Sequence, residues 1–264
     1  MTRKLQSITS SKLPAAVALA AIVLFWFVLS ETGIVPGYML PSPVDVIRAL
    51  TGDFPIIITH AGVTLQEAFY GLGIGILLAF ITATLMDHFL ILNQAFYPIM
   101  IITQTIPTIA IAPVLVLWMG FGMAPKITLV VITTFFPITV GLLDGYKSVD
   151  RDSIDLMRAM GASRRQIFWH VKFPAALPQF FAGLKISSSY AVVGAVISEW
   201  LGGFEGLGVY MTRVKQAYAF DKMFAVIIFI VVISLVLMAV VNLIRRVSMP
   251  WMAVEEKGEE NEKE

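Results

Sequence analysis

Residue types and motifs that identify many enzymes and metalloproteins are missing from this chain of 264 residues. It contains no cysteine, which excludes disulfides and thiolate metal sites. Its three histidines, His60, His88 and His170, are scattered and do not follow a metal-ligand spacing. The sequence also has no HExxH motif, no nucleophile elbow and no pair of catalytic carboxylates. We therefore expect that the chain is not an enzyme and binds no metal or cofactor itself.

A nucleotide-binding motif is missing as well. The pattern G-x-x-x-x-G-K-[ST] does not occur, and neither does any Gly-Lys dipeptide. Such a loop cradles the phosphates of ATP with its backbone N–H groups, so this chain cannot hold ATP by that device. If ATP drives its function, a separate subunit must hydrolyse the nucleotide.

Charge is scarce, and apolar residues are abundant. Only 14% of the residues are charged and 58% are hydrophobic, whereas about a quarter of an ordinary soluble domain is charged. The apolar residues form blocks about as long as the roughly 20 residues that cross a hydrocarbon core about 30 Å thick. These blocks predict an all-α polytopic membrane protein with about six transmembrane helices, at Pro14–Ser30, Val63–Leu85, Ala95–Trp118, Lys126–Tyr146, Gln179–Trp200 and Phe224–Ile244.

The first and third apolar blocks each allow two interpretations. A cleaved signal peptide is the alternative for the first block, and we favour a retained span because no small-x-small pattern closes the run. The third block contains Pro98, Pro107 and Pro113, each of which bends a helix, and the block is either a bent packing helix or a pore-lining one. Glycines four residues apart, at Gly71 and Gly75 and at Gly141 and Gly145, indicate close helix packing.

The distribution of basic residues predicts the orientation. With the N-terminus in the cytoplasm, thirteen of the nineteen Lys and Arg residues fall on the cytoplasmic side, as the positive-inside rule favours. This gives residues 1–13 as a cytoplasmic N-terminus, residues 14–246 as the membrane domain and residues 247–264 as a charged, disordered cytoplasmic tail. The basic segment at about 147–178, between spans four and five, also becomes cytoplasmic.

The sequence DLMRAMGASRRQIFWHVKFPAALP within that segment predicts two helices around a corner. A first helix begins near Asp150 and runs to Met160, and Gly161 supplies the left-handed dihedrals that often follow a helix end. Ser163-Arg164-Arg165-Gln166 matches a capping box, so a second helix begins there and stops before Pro174. A basic amphipathic loop on anionic lipid is the alternative, although it does not explain the corner.

The corner segment resembles the cytoplasmic "EAA" loop of ABC-importer permeases. That loop has the pattern E-A-A, three residues, Gly, nine residues and I-x-L-P. Aligned on its glycine, this sequence matches the Gly and the Pro, shortens the carboxylate to Asp, and replaces both alanines. In the family, the loop forms a coupling helix that sits in a cleft of a cytoplasmic ATPase. The resemblance implies these coupling residues: Asp155, Met157, Gly161, Ala162, Ser163, Arg164, Val171 and Pro174.

The resemblance covers about 200 residues. Leu40–Leu50, His60–Gly75, Gln104–Gly122 and Ser198–Met211 are similar to the nitrate, sulfonate, taurine and thiamine-precursor branch of these permeases. The run SEWLGGFEGLGVYMTR and the closing RRVSMPW are most similar to permeases for hydroxymethylpyrimidine-type precursors of thiamine. The resemblance implies the permease subunit of an ATP-driven importer for a small polar solute, which is such a pyrimidine or alternatively a sulfonate, taurine or nitrate.

The same resemblance implies partners and a location. Two copies of the permease would form the pore, two ATPase subunits carrying ATP and Mg²⁺ would dock on the cytoplasmic loops, and an extracytoplasmic binding protein would deliver the solute. The location would be the cell (inner) membrane of a prokaryote. The alternative class is an ion-coupled secondary transporter, which would show an internal repeat and deeply placed acidic residues.

Polar and aromatic residues in the spans are candidates for the translocation path. Gln104 and Thr105 lie on the proline-containing span, and a solute ring could stack on Trp118 or Tyr190. Glu199, beside a glycine-rich turn, either faces the solute entrance or caps that turn. Among the charged groups, Glu67 and Lys185 could form a structural pair between spans two and five, since a buried charge needs a partner.

Overall fold

The protein was analysed in a computed structural model that describes the backbone of residues 2–251 and the side chains of residues 13–201 and 203–251. The predicted tail falls largely outside these residues. The described chain is helical and has no strand. Its helices are α1 Thr2–Glu31, α2 Pro43–Gly52, α3 Phe54–His88, α4 Leu90–Thr105, α5 Thr108–Met119, α6 Met123–Lys147, α7 Arg151–Ala159, α8 Arg164–Ile167, α9 Phe173–Gly202, α10 Leu207–Gln216 and α11 Phe220–Ser248.

The number of membrane spans agrees with the prediction. Within the part of the chain that the structure describes, five helical stretches are long and apolar enough to cross a membrane: Leu13–Glu31, Phe54–His88, Met123–Lys147, Arg164–Leu201 and Phe220–Ser248. The helices α4 and α5 qualify as a sixth span when they are taken together, and they meet at an angle of 100°. Many large apolar side chains of these six spans are exposed. This exposure suits contact with lipid, because the hydrocarbon core offers no polar partner.

The break between α4 and α5 follows from Pro107. A proline disfavours helical dihedrals in the preceding residue, and Ile106 is accordingly extended, with φ −80° and ψ 123°. Pro107 also lacks the N–H that would continue the helix. The third predicted span is therefore interrupted at Pro107 and forms two helices.

The described residues form two compact units. One unit comprises the described residues up to Thr59 together with Tyr210–Phe229, and the other comprises His60–Val209 and the described residues from Ile230 to Trp251. In the first unit, the Trp26 ring stacks on Phe224 with 5.9 Å between centroids, and its indole N–H donates to the Pro41 carbonyl. Val46 is buried beside them.

An ion pair holds together the polar side of the first unit. The Lys222 ammonium lies 2.8 Å from a carboxylate oxygen of Asp53, and the Tyr210 hydroxyl donates a hydrogen bond to the same carboxylate. The hydrogen bonds from Lys222 and Tyr210 hold the pKa of Asp53 below its usual value. Burial and the neighbouring carboxylate raise the pKa of Tyr210, so this residue stays a protonated donor.

In the second unit, α3, α6 and α9 pack through glycines. A Cβ added at Gly145 of α6 would lie 2.6 Å from the Cα of Ala176 on α9, and one added at Gly141 would lie 2.6 Å from the Gln179 carbonyl oxygen. Gly71 and Gly75 of α3 lie against the Val130 and Thr134 side chains of α6, whereas Gly73 faces open space. The glycine spacing thus predicted the close contacts correctly.

Candidate functional site

The predicted corner between α7 and α8 is present. The Asp150 side chain accepts from the backbone N–H of Asp152 at the start of α7. Gly161 follows the helix with a φ of +82°, in the region that disfavours any side chain. Ser163 and Gln166 then form a complete capping box, with the Ser163 N–H donating to the Gln166 side-chain oxygen over 2.8 Å. The helix–corner–helix prediction is confirmed.

The predicted end of the second helix is wrong. The chain does not stop before Pro174 but passes from α8 through a π-helical turn, Phe168–Lys172, directly into α9. In this turn, the backbone N–H of Phe173 bonds to the carbonyl of Phe168, five residues earlier. Pro174 is the second residue of α9, so it follows directly on the turn in which the regular hydrogen bonds between residues four apart are already interrupted. Arg164–Leu201 is consequently one helical rod.

An ion pair and aromatic rings attach the π-turn to the rest of the second unit. The Lys172 ammonium lies 2.9 and 2.8 Å from the two carboxylate oxygens of Asp87 at the end of α3. The Phe168 ring lies 5.5 Å from that of Tyr146 on α6, and Phe173 meets Phe80 of α3 at 5.7 Å. The segment is therefore joined to both neighbouring spans.

The surface of the corner combines basic and apolar side chains. No residue of α7 is buried, and Leu156 and Met160 expose 63% and 75% of their area. Arg158 pairs with Asp155 at 2.9 Å, and both of these side chains are exposed. Of the predicted coupling residues, four are exposed (Asp155, Gly161, Ser163 and Arg164) and four are half-buried (Met157, Ala162, Val171 and Pro174).

A cavity of about 240 Å³ opens at the break between α4 and α5. Side chains from both sides of the break and from α6 and α9 surround it, and none of them is charged. The lining residues are Thr103, Gln104, Ile106, Thr108, Ile111, Ile132, Thr133, Tyr190, Val193, Gly194 and Ile197.

The structure brings together two of the five residues predicted for the translocation path. Gln104 and Tyr190 both line the cavity. Thr105 does not, and its hydroxyl donates to the Ile102 carbonyl. Trp118 is 75% exposed near the end of α5, and Glu199 lies in a separate buried cluster described next.

Glu199 holds a turn between α9 and α10. Its carboxylate accepts from the Thr64 hydroxyl at 2.7 Å and from the backbone N–H of Gly208 at 2.6 Å. The side chain is 1% exposed. This geometry corresponds to the turn-capping alternative. Nearby in the turn, the Gly206 N–H donates to His60 Nδ1 over 3.0 Å.

The suggested pairing of Glu67 with Lys185 is wrong. Glu67 instead pairs with Lys126, at 2.6 Å, and both side chains are almost entirely buried. Lys185 is exposed. The pairing follows from position, because Lys126 lies in the first turn of α6, directly against the part of α3 that carries Glu67, and a buried charge requires a partner.

Comparison with known families decides what kind of protein this is. Residues 71–254, more than two thirds of the chain, match the family described as "Binding-protein-dependent transport system inner membrane component". The chain belongs to this family. It is the permease subunit of an ABC importer and a multi-pass protein of the inner membrane, as the resemblance of the corner segment implied.

Curated relatives of this permease extend over most of its length. The formylaminopyrimidine transport permease of Halalkalibacterium halodurans is 36% identical over 81% of this chain and 86% of the relative. A probable ABC transporter permease of Haemophilus influenzae is 38% identical over 82% of this chain and 88% of the relative. A putative aliphatic sulfonates transport permease of Bacillus subtilis is 27% identical over 88% and 85%.

The fold is also that of a solved transporter. A crystal structure of an amino acid ABC transporter with histidines superposes with a TM-score of 0.62 over 75% of this chain and 96% of the other. The two sequences are 15% identical, so this similarity concerns the fold alone.

Sequence reasoning missed two ion pairs of the permease, Lys172 with Asp87 and Lys126 with Glu67. In both cases, a charged residue stands at or near the end of an apolar run, which is the one available signal. That signal indicates that a partner is needed, but not which residue provides it. It also missed α2, although Ser42 followed by Pro43 is a favourable helix start and the Ser42 side chain does accept from the Asp45 N–H.

Proposed function

We propose that this permease imports a pyrimidine precursor of thiamine, of the hydroxymethylpyrimidine type. The observation that carries the proposal is the 36% identity, over most of both chains, to a permease named for formylaminopyrimidine transport. The uncharged cavity at the break between α4 and α5 supports a neutral solute. Sulfonate, taurine or nitrate import is the alternative, supported by the sulfonate-permease relative at 27% identity.

Two permease chains form the pore in this proposal, and each presents its corner segment to one ATPase subunit. The exposed Leu156 and Met160 provide apolar surface for that contact, and the arginines of the corner segment are exposed as well. ATP and Mg²⁺ bind to the ATPase, and an extracytoplasmic binding protein delivers the solute. The coupling contacts come from Asp155, Met157, Gly161, Ala162, Ser163, Arg164, Val171 and Pro174.

Transmission of ATPase movement requires a corner that keeps its shape. The left-handed backbone at Gly161, the capping box at Ser163 and the uninterrupted path into α9 all give it that shape. The ion pair of Lys172 with Asp87 joins it to α3. A displacement of the corner therefore reaches the spans instead of being absorbed by a flexible loop.

Co-purification tests the partner assignment. We expect the tagged chain, solubilised in mild detergent, to recover an ATPase with a Walker motif at about one copy per permease. Purified chain that comes alone and still transports under a proton gradient would contradict the proposal and favour an ion-coupled secondary transporter. Reconstitution of the full importer with labelled hydroxymethylpyrimidine, taurine and nitrate then tests the solute.

The orientation can be tested with single cysteines, since the natural chain has none. We propose that the corner and both termini are cytoplasmic. Leu156→Cys should react with a membrane-impermeant maleimide only after the membrane is opened, whereas Phe204→Cys, on the turn at the far end of α9, should react in intact cells. Labelling of Leu156→Cys in intact cells would reverse the proposed orientation.

Coupling is tested at Gly161, whose φ is +82°. A β-branched residue is strongly disfavoured at positive φ, whereas Asn adopts it more readily. We expect Gly161→Val to abolish uptake and ATPase co-purification while the amount in the membrane is unchanged. Gly161→Asn should retain most of both. Normal uptake by Gly161→Val would show that the shape of the corner is not required.

A further inference from the structure

The cavity at the break between α4 and α5 has the composition of a ligand site inside the membrane. We propose that it binds the transported solute during passage, and that it selects an uncharged planar ring with hydrogen-bond donors and acceptors on one edge, such as an aminopyrimidine. This inference rests on the proposed function, because it assigns a binding site within the permease and a solute class to the same transport reaction.

The lining side chains provide no counter-charge for an anion. None of the eleven lining residues carries an ionisable acid or base of Asp, Glu, Lys, Arg or His type. A charged group in the membrane interior costs several kcal/mol unless it finds a partner. Lys126 is the buried cation nearest in sequence to the lining residue Ile132, and it is already paired with Glu67 at 2.6 Å. A sulfonate or a nitrate ion would therefore enter this cavity without a counter-charge, whereas a neutral ring would not need one.

The polar groups of the lining offer both donors and acceptors. The Gln104 amide provides two donors and an acceptor, and its side chain makes no hydrogen bond to the residues that the structure describes. The hydroxyls of Thr103 and Thr133 donate to the carbonyls of Met100 and Val130, so their oxygens remain available as acceptors. A ring edge with both kinds of group can thus be satisfied.

The helix break adds backbone groups to the same cavity. Helix α5 begins after Pro107 with no side chain capping its first N–H groups, and Ile106 and Thr108, on either side of the break, line the cavity. Broken helices at membrane depth are tolerated where they line a cavity, and transporters use their ends to contact substrates. The break therefore places the first turn of α5 beside the cavity.

An aromatic face and apolar walls complete the site. Tyr190 lines the cavity and is half exposed. Its ring provides a stacking surface for a flat solute. Ile106, Ile132 and Val193 line the same cavity and supply its apolar walls. A site with apolar walls and a few convergent polar groups is typical of small-molecule binding.

The test uses the assembled importer in lipid nanodiscs without its binding protein, so that only the membrane site is measured. Equilibrium dialysis with radiolabelled hydroxymethylpyrimidine should show saturable binding, and labelled taurine and nitrate should not. Gln104→Leu and Tyr190→Leu should each weaken binding about tenfold, since a lost hydrogen bond or stacking contact is typically worth about 1 kcal/mol or somewhat more. Gln94→Leu, on the same helix, and Tyr70→Leu, on α3, are matched controls away from the cavity and should bind normally.

Uptake by the complete importer, measured in parallel, separates the two proposals. Pyrimidine uptake without saturable binding to the permease, or with Gln104→Leu and Tyr190→Leu binding like wild type, would overturn the site but leave the proposed function intact. Pyrimidine binding without pyrimidine uptake would overturn the proposed function and support the site. Saturable binding of taurine or nitrate would overturn the neutral-solute class.

Discussion

The contact between α6 and α9 provides a sharp test of the fold, through Gly145→Ala. An added Cβ at this position would lie 2.6 Å from the Cα of Ala176 and 2.7 Å from its Cβ, where ordinary contact begins at 3.4 Å. The obstacle is mainly backbone, so the two helices must separate by about 0.8 Å or tilt to accept it. Overpacking of this kind costs about 1–3 kcal/mol.

A second glycine isolates the packing contribution. Gly73 lies in the middle of α3 with no heavy atom within 4 Å of an added Cβ. Both Gly→Ala changes gain up to about 1 kcal/mol of helix propensity, so this contribution largely cancels between them. We therefore expect the free energy of unfolding of Gly145→Ala to be about 1–3 kcal/mol below that of Gly73→Ala.

Unfolding by sodium dodecyl sulfate in mixed micelles measures this difference, with tryptophan fluorescence as the signal. Gly141→Ala should behave like Gly145→Ala, because its added Cβ would lie 2.6 Å from the Gln179 carbonyl oxygen. Equal unfolding free energies for Gly145→Ala and Gly73→Ala would refute the close approach of α6 and α9.

Three further changes test other parts of the permease. Ser163→Ala should lower the local stability of α8 by about 0.5–2 kcal/mol, which would be measured as faster amide hydrogen exchange in this helix. Ser163→Asp is a control that keeps the cap. Unchanged exchange in Ser163→Ala would contradict a role for the capping box. Lys172→Asp should lower the stability of the importer by about 1–3 kcal/mol and reduce uptake, because it removes the ion pair with Asp87. Adding Asp87→Lys should restore part of the stability and part of the uptake. Losses that simply add in the double variant would argue against the ion pair. Hydrogen bonds from Lys222 and Tyr210 lower the pKa of Asp53, so the stabilisation from this carboxylate should be present at neutral pH and be lost as the pH falls through that lowered value. The thermal unfolding of Asp53→Asn should therefore depend less on acid pH than that of the wild type. An unchanged pH profile would contradict this prediction.

Features that depend on neighbouring residues could be predicted from the sequence. The capping box needs only Ser163 and Gln166, three residues apart, and Gly161 stands where the first helix must end. The spans follow from apolar length, and the residues of the corner segment are enough to indicate the family. These signals are local, so they do not depend on how the helices pack.

Features that join distant parts of the chain could not be predicted in the same way. Lys172 meets Asp87 across 85 positions, and Lys126 meets Glu67 across 59. Such pairs depend on which helix faces are opposed, and the apolar pattern of a membrane helix does not distinguish its faces clearly. The π-turn was missed for a different reason, since a shift of hydrogen bonding from four to five residues leaves no mark in composition.

Because α8 continues into α9, the close contact between α9 and α6 lies near the middle of one long helix. Gly183 brings α9 against the backbone of Pro137 and Ile138 of α6, and it stands 19 residues from Arg164 and 18 from Leu201. At 1.5 Å per residue, the two arms are about 28 and 27 Å long. A rotation of α9 about the Gly183 contact would move the corner by a few ångströms and the opposite end of the helix by nearly the same distance in the opposite direction.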